Sequence, residues 1–476
     1  MVQFAGTHTT AMGPFDRWPT GHGFDYFYGF VAGETSQWEP RLYENMNPVE
    51  PPVDEKCHLS EDLADKAVAW LRKHESFAPD KPFFLYWASG AAHGPHHIFK
   101  EWVDKYKGKF DDGWDRYRER VFASQRATGW IPADAALTPR ADTMQGWDRI
   151  PEAERPFQRR LMEVFAGFLE YVDAQVGRIL DELDRLGKSD NTIVIHIFGD
   201  NGSSAEGQKG SISELLAQNY IPNTVEEQIG ALEKLGGLEV LGTPKTDNMY
   251  HAGWAWAGNT PFHYTKLVAS HFGGTRNPLA IAWPRRIRPD GKMRGQFHHV
   301  TDIVPTLYDV LGIPLPKGVD GHAQKPMDGV SMAYTFDRPE APTHTRTMPA
   351  AASTRKAGTP VHLVRSSRGT RRALRSDWQI GTRAKRTGNS TTSIRTSLRP
   401  TISRRLTPRS WRSLKNSSLK NSSKRSHATI WFGRSVRAYG FVYIPRTASS
   451  HRTPSGASMA RLRACRNLLP WLGAAK

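Results

Sequence analysis

The chain has 476 residues, 38% hydrophobic and 24% charged, enough apolar side chains for a globular core. Its formal net charge of +18 joins two unlike parts: residues 351–476 carry 28 Lys and Arg against one acid, Asp377, whereas the first 350 residues net −9. No apolar run reaches the roughly 18 residues of a spanning helix, no basic-then-apolar leader opens the chain, and two cysteines cannot build a disulfide framework; the sequence as written is expected to be cytoplasmic.

From Gly13 to about Pro52, glycine, proline and aromatics are too dense for a helix, and the segment is expected to wrap a core irregularly. A helix is predicted from about Glu61 to His74, capped by Ser60, followed by a buried strand at Phe83–Trp87 and a long excursion from Pro95 to Pro156. The clearest helix runs from about Pro156 to Leu186. Its Leu161, Phe165, Phe168, Val172, Val176, Ile179, Leu183 and Leu186 form one stripe of 3.6-residue period, and Gly187 suits the left-handed cap. Thr192–Phe198 then reads as a buried strand, so strand, crossover helix and strand predict a partly parallel sheet. A further strand at Leu279–Trp283 and a helix from Thr301 to Leu311 closed by Gly312 continue the pattern. Beyond residue 345, Arg, Ser and Thr alternate without period. The sequence therefore divides into an α/β domain over 1–345 and a basic tail over 346–476, expected to be disordered or the product of a shifted reading frame near 345–352.

In open α/β sheets, ligands bind beyond the carboxyl ends of the strands. Three candidates lie there. Asp200 and Asn201, on the Gly199–Gly202 turn after the strand, offer hard oxygen ligands of the kind Ca²⁺ or Mg²⁺ takes, although Asp-Asn-Gly is equally an ordinary turn. His93 lies in a loop six residues past Trp87, where a lone histidine is commonly structural, and the His96-His97 pair has no Cys or carboxylate companions for zinc. Lys266 precedes Gly273-Gly274-Thr275-Arg276-Asn277-Pro278 and by itself is a surface lysine.

The order of these segments resembles the sulfatase family, within the alkaline-phosphatase-like superfamily, and more narrowly its large bacterial arylsulfatases. The resemblance is carried by GPFDRWPTGHGFDYFYGF (13–30), HLSEDLADKAVAWL (58–71), FFLYWASGAAHGPHH (83–97), DNTIVIHIFGDNG (190–202), ASHFGGTRNPLAIAWPRRI (269–287), HHVTDIVPTLYDVLGI (298–313) and MDGVSM (327–332). It implies a central mixed, largely parallel sheet flanked by helices and incomplete at its N-terminal side. It also implies one divalent ion, Ca²⁺ or Mg²⁺, and hydrolysis of a small sulfate ester by a cysteine-derived formylglycine. By the same resemblance Asp200 and Asn201 are metal ligands, His93 serves the leaving group or the formylglycine hydrate, and Lys266 binds sulfate oxygens. A metal and a lysine would neutralise the sulfuryl group while a histidine handles protons.

Two departures accompany it. Neither Cys57 (Lys-Cys-His) nor Cys465 (Ala-Cys-Arg) opens the family's Cys-x-Pro/Ala-Ser/Ala-Arg signature, so no nucleophile is assigned, formylglycine is not expected in this chain, and activity is expected to be impaired. The basic tail also matches none of the family's C-terminal part. Two other readings stand beside the sulfatase one. The first is a phosphodiesterase or phosphomonoesterase of the same superfamily. The second is a nucleic-acid binder acting through the tail, whose Trp378, Trp411, Trp431 and Trp471 are too scattered for a stacking platform. No specific nucleic acid and no membrane is expected as partner.

Overall fold

The computed structural model describes residues 10–51, 57–319 and 321–344 and the backbone of 437–443. These belong to a compact unit formed by residues 1–347 and 428–476; a second unit, 348–427, lies outside the described residues. The aromatic N-terminal segment is more regular than its composition suggests. It contains a small antiparallel sheet of β1 (Tyr28–Gly29), β2 (Leu42–Glu44) and β3 (Asn47–Val49). Trp18, fully buried, anchors this segment, with Phe15 and Tyr43 edge-on to its ring.

Helix α1 (Leu59–Phe77) starts earlier and ends later than expected, and its cap is His58 rather than Ser60: the imidazole accepts the Ser60 N–H. It leads into β4 (Phe83–Ser89). The excursion that follows holds α2 (Lys100–Asp104) and α3 (Gly113–Ala127). Helix α4 (Arg155–Arg185) is the predicted amphipathic helix, and Leu161, Phe168, Val172, Val176, Ile179 and Leu183 of its stripe are all buried. Gly187 takes the expected positive φ of 66°. Opposite charges join α4 to α1: Arg72 grips Glu182 through two bonds of 2.9 Å, and Arg178 meets Asp65.

β5 (Thr192–Ile197) emerges from this helix with five of its six residues buried. Successive side chains of a strand face opposite ways. Val194 joins the core of α1 and α4, while Ile193 and Ile195 join a second apolar layer with Trp283, Ile303, Leu307, Met332 and Phe336. The chain then runs through α5 (Glu214–Gln218), α6 (Val225–Leu235), α7 (Ala252–Gly258) and α8 (Phe272–Thr275) to β6 (Leu279–Ala282) and α9 (Ile303–Leu311). It continues through β7 (Gly318–Val319), β8 (His322–Ala323) and α10 (Tyr334–Asp337).

The largely parallel sheet is not what the ladders show. The four-stranded sheet has the order β4-β9-β5-β6, where β9 is Arg437–Tyr443, and all three of its pairings are antiparallel. β4 and β5 do run in the same direction, as a strand–helix–strand unit requires, but β9 lies between them. Periodicity reports that two strands are buried and joined by a helix; it carries no information on which third strand separates them. The expectation of a disordered basic tail otherwise falls outside the described residues.

Two of the sequence segments quoted above hold each other in the second layer. Asp302, fully buried, accepts the Val330 N–H at 3.0 Å, and the Thr306 hydroxyl accepts the Met332 N–H at 2.8 Å while donating to the Asp302 carbonyl at 2.6 Å. Thr306→Val keeps the volume but strands the Met332 N–H. It is expected to cost about 2 kcal/mol in urea unfolding, against a near-neutral result if that bond contributes nothing.

Candidate active site

His93 and Lys266 meet, although 173 positions separate them in the chain: Lys266 Nζ is 3.1 Å from His93 Nε2. The His93 loop, between β4 and α2, is fixed from behind. The His96 N–H donates to the Asn248 carbonyl, the Ile98 N–H to the Gly242 carbonyl, and His97 Nε2 reaches the Thr246 carbonyl at 2.7 Å. His93 Nδ1 lies 3.0 Å from the Gly94 carbonyl and 3.4 Å from Glu34 Oε2. With Lys266 donating to Nε2, the consistent tautomer carries its proton on Nδ1, turned towards these oxygens.

Lys266 is held by the turn that follows β5. Its backbone N–H donates to the Ser203 carbonyl at 3.0 Å, and its ammonium also donates to Glu206 Oε2 at 2.7 Å. Two residues of its loop, Tyr264 (φ 62°) and the adjacent Leu267 (φ 76°), occupy the left-handed region. Non-glycine residues there cost of order 1–3 kcal/mol and persist only where the surroundings over-determine them. Here those surroundings are Gly202, Gly273 and Gly274. Gly202 donates its N–H to the Gly274 carbonyl, and Gly273 donates to the His263 carbonyl, so the turn after β5 and the lysine loop share one seam.

Asp200 and Asn201 sit on this same turn, three and four residues beyond β5. Burial pushes the Asp200 carboxyl above its ordinary value and Lys266 pulls it back, so the two charges feel each other. On the other side the Asp200 charge adds to burial in pushing the Tyr86 hydroxyl of β4 up to about 12. The Asp-Asn pair has the hard-oxygen chemistry of a Ca²⁺ or Mg²⁺ site. Its amide, however, turns its nitrogen to the carboxylate, Asn201 Nδ2 donating to Asp200 Oδ1 at 2.7 Å. Two residues supply far fewer than the six to eight oxygens Ca²⁺ takes. Among the described residues, the Asp, Glu, His and Cys side chains that converge as a metal-holding group are elsewhere, at Glu34, His93 and Glu214. The pair by itself therefore supplies only part of a cation site.

Three carboxylates at this cleft escaped the sequence reading: Glu34, Glu206 and Glu214. Burial alone would raise the Glu206 carboxyl, but its bonds to Lys266 and Ser204 outweigh that and hold it low. Glu214, only 6% exposed, is pushed up to about 8 by burial and by Glu34 beside it. Gln218, one turn along α5, donates to Glu214 at 2.8 Å and to Glu34 at 3.5 Å. Each of these acids comes from a different loop or short helix, so no local spacing marks them as a group.

Lys266 and His93 thus meet beyond the carboxyl ends of β4 and β5. Comparison with known proteins names the class. The family model "Sulfatase" matches residues 1–313, and the chain belongs to the sulfatase family, whose members are hydrolases of the sulfuric-ester type. An uncharacterized sulfatase of Schizosaccharomyces pombe is 30% identical over 339 residues, covering 66% of this chain and 58% of that protein. An arylsulfatase of Klebsiella aerogenes is 24% identical over 326 residues, 66% of each chain. The uncharacterized sulfatase YdeN of Escherichia coli is 27% identical over 319 residues, covering 67% of this chain and 37% of its own length. The chain thus spans less than two thirds of the length of these relatives.

Proposed function

We propose that the cleft binds the sulfuryl group of a small sulfate ester of the arylsulfatase type, with Lys266 neutralising sulfate oxygens and His93 handling the proton at the ester or leaving oxygen. The observation that carries this reading is the 3.1 Å approach of Lys266 Nζ to His93 Nε2. An ammonium offers only donors, so the ring nitrogen it touches is the acceptor of the pair; when an anion takes over the ammonium, that nitrogen is released at the position where the sulfate arrives. Asp200 and Asn201, docked on the lysine loop through Ser203, are the residues that would join a divalent ion, which in this class adds Lewis-acid neutralisation of the sulfuryl oxygens. The nucleophile is the missing component: neither Cys57 nor Cys465 carries the flanking residues of the formylglycine signature. This 476-residue chain is thus expected to bind sulfate esters without turning them over.

Calorimetric titration of the full chain with 4-nitrophenyl sulfate and with sodium sulfate tests this. Binding is expected to fall at least tenfold in Lys266→Ala, with no measurable release of 4-nitrophenol in Ca²⁺ or Mg²⁺. Equal affinity in Lys266→Ala would remove the lysine from the site. Hydrolysis of 4-nitrophenyl phosphate instead would favour the phosphoesterase alternative. Sulfate turnover abolished by Cys57→Ala would make that cysteine the nucleophile, and turnover surviving it would require another.

A further inference from the structure

We propose that Glu34, His93 and Glu214 form a binding site for a first-row divalent transition ion of the Zn²⁺ class, distinct from the Asp200–Asn201 turn. The inference goes beyond the sulfate-ester reading and does not depend on it. One ligand atom from each of the three residues lies within 4.8 Å of the other two. His93 Nδ1 and Glu34 Oε2 are already 3.4 Å apart, the separation that two ligands about 2.1 Å from a tetrahedral ion adopt. Glu34 is only partly buried, so its side chain is the one freer to turn towards Glu214. Three protein ligands with a fourth position open to water is a familiar arrangement for Zn²⁺.

Three features separate this group from an ordinary acidic patch. One ligand is an imidazole, which Ca²⁺ and Mg²⁺ do not favour and Zn²⁺ does. Glu214 is 6% exposed, so its carboxylate is not balanced by water. A glycine lets this carboxyl group pack directly on the His93 loop: a Cβ on Gly94 would stand 2.8 Å from Glu214 Oε1. The local charge has the matching sign. Glu34 and Glu214 lie close together, both bonded by Gln218, while Glu206 pairs Lys266 at 2.7 Å. A divalent ion binds deprotonated carboxylates, so its entry would release the proton held by the Glu34–Glu214 pair and relieve their repulsion. Because it would take His93 at Nδ1, it would shift the ring proton to Nε2 and leave the Lys266 ammonium on Glu206.

The test uses the untagged full-length chain after chelator treatment, titrated with ZnCl₂ by calorimetry and with Co²⁺ followed by visible absorption. One saturable site is expected, with the intense absorption of low-coordinate Co²⁺. Affinity should fall at least tenfold in Glu34→Gln, in Glu214→Gln and in His93→Ala, and stay unchanged in Asp200→Asn. The absence of saturable binding, Zn²⁺ affinity unmoved by Glu34→Gln, or Ca²⁺ competing as well as Zn²⁺ would each overturn the proposal. Should the buried Glu214→Gln variant fail to fold, the partly exposed Glu34→Gln decides the question. No sulfate ester enters the experiment, so its failure leaves the sulfate reading untouched.

Discussion

Acidification from pH 6.5 towards pH 4 is expected to unfold this chain, with stability falling by about 4 kcal/mol per pH unit at the steepest point. Three buried histidines are responsible. Burial holds each of His58, His96 and His251 down at about 3, far below the ordinary 6.5. In His96 the neighbouring His93 and His97 add to this, and in His251 so does Lys209. A depressed histidine is neutral in the fold but takes a proton once unfolded. The unfolded state therefore binds more protons between pH 6.5 and pH 3, and the stability present above 6.5 is lost as pH falls through that window. Each such group contributes about 1.4 kcal/mol per pH unit, and typical domains hold only about 5–15 kcal/mol in all.

The geometry shows why these rings stay neutral. His58 accepts the Ser60 N–H on Nδ1 while Nε2 faces the His97 carbonyl, and His251 accepts the Gly253 N–H on Nδ1 while its ring stacks on Trp114 at 4.4 Å. Protonation would turn each acceptor into a donor facing a donor. Glu214, pushed up to about 8, opposes the histidines by about one proton between pH 8 and its unfolded value, so urea midpoints from pH 7.5 to pH 5 should reach a slope of about 3 kcal/mol per pH unit that steepens at lower pH. His58→Asn, which can still cap α1, should remove about one proton's worth of it. A flat profile over that range would show that these histidines protonate inside the fold and that the burial argument fails.

How much of this was legible in the sequence follows from the range of each interaction. The α4 stripe, the burial of β5 and the caps at Gly187 and Gly312 depend on neighbours within a few residues, and the periodicity of 161–186 shows them. The cap of α1 was misassigned by two positions because an imidazole can accept an N–H as a serine hydroxyl does, and only geometry tells which one does. Strand pairing was not legible. β4 and β5 read correctly as separate strands, yet the strand between them comes from residues 437–443, about 240 positions after β5. The candidate site divides in the same way. His93 and Lys266 stood out by their places after and before strands, and the structure puts them in contact. Glu34, Glu206 and Glu214 lie in segments with no pattern of their own. Their roles come from three loops folding onto one imidazole, which a local reading cannot see.

Gly202→Ala and Gly273→Ala are each expected to destabilise the chain by about 3 kcal/mol or more, the upper range for forcing extra atoms into a packed interior. A Cβ on Gly202 would stand 1.6 Å from the Gly273 carbonyl oxygen, and a Cβ on Gly273 would stand 2.1 Å from the carbonyl oxygens of His263 and Tyr264. In both cases the obstacle is backbone, which cannot swing aside as a flexible side chain would. Relief for Gly202 requires the turn after β5 to part from Gly273 and Gly274, breaking the Gly202-to-Gly274 bond, and relief for Gly273 requires it to part from the 263–264 backbone, breaking its bond to His263. Asp200 and Asn201 belong to one side of this seam and Lys266 to the other, so the glycines that read as turn punctuation in the sequence set the distance between the proposed sulfate-binding groups. Two controls isolate the effect. A Cβ on exposed Gly295 would meet nothing within 4 Å, so Gly295→Ala should stay within about 0.5 kcal/mol. A Cβ on Gly230, inside α6, would likewise meet open space, so Gly230→Ala should raise stability by about 0.5–1 kcal/mol, the usual gain over glycine in a helix. Urea unfolding of the four variants, with sulfate affinity measured on those that fold, separates the cases. If Gly202→Ala matches Gly295→Ala in both stability and sulfate binding, the seam does not hold the site together.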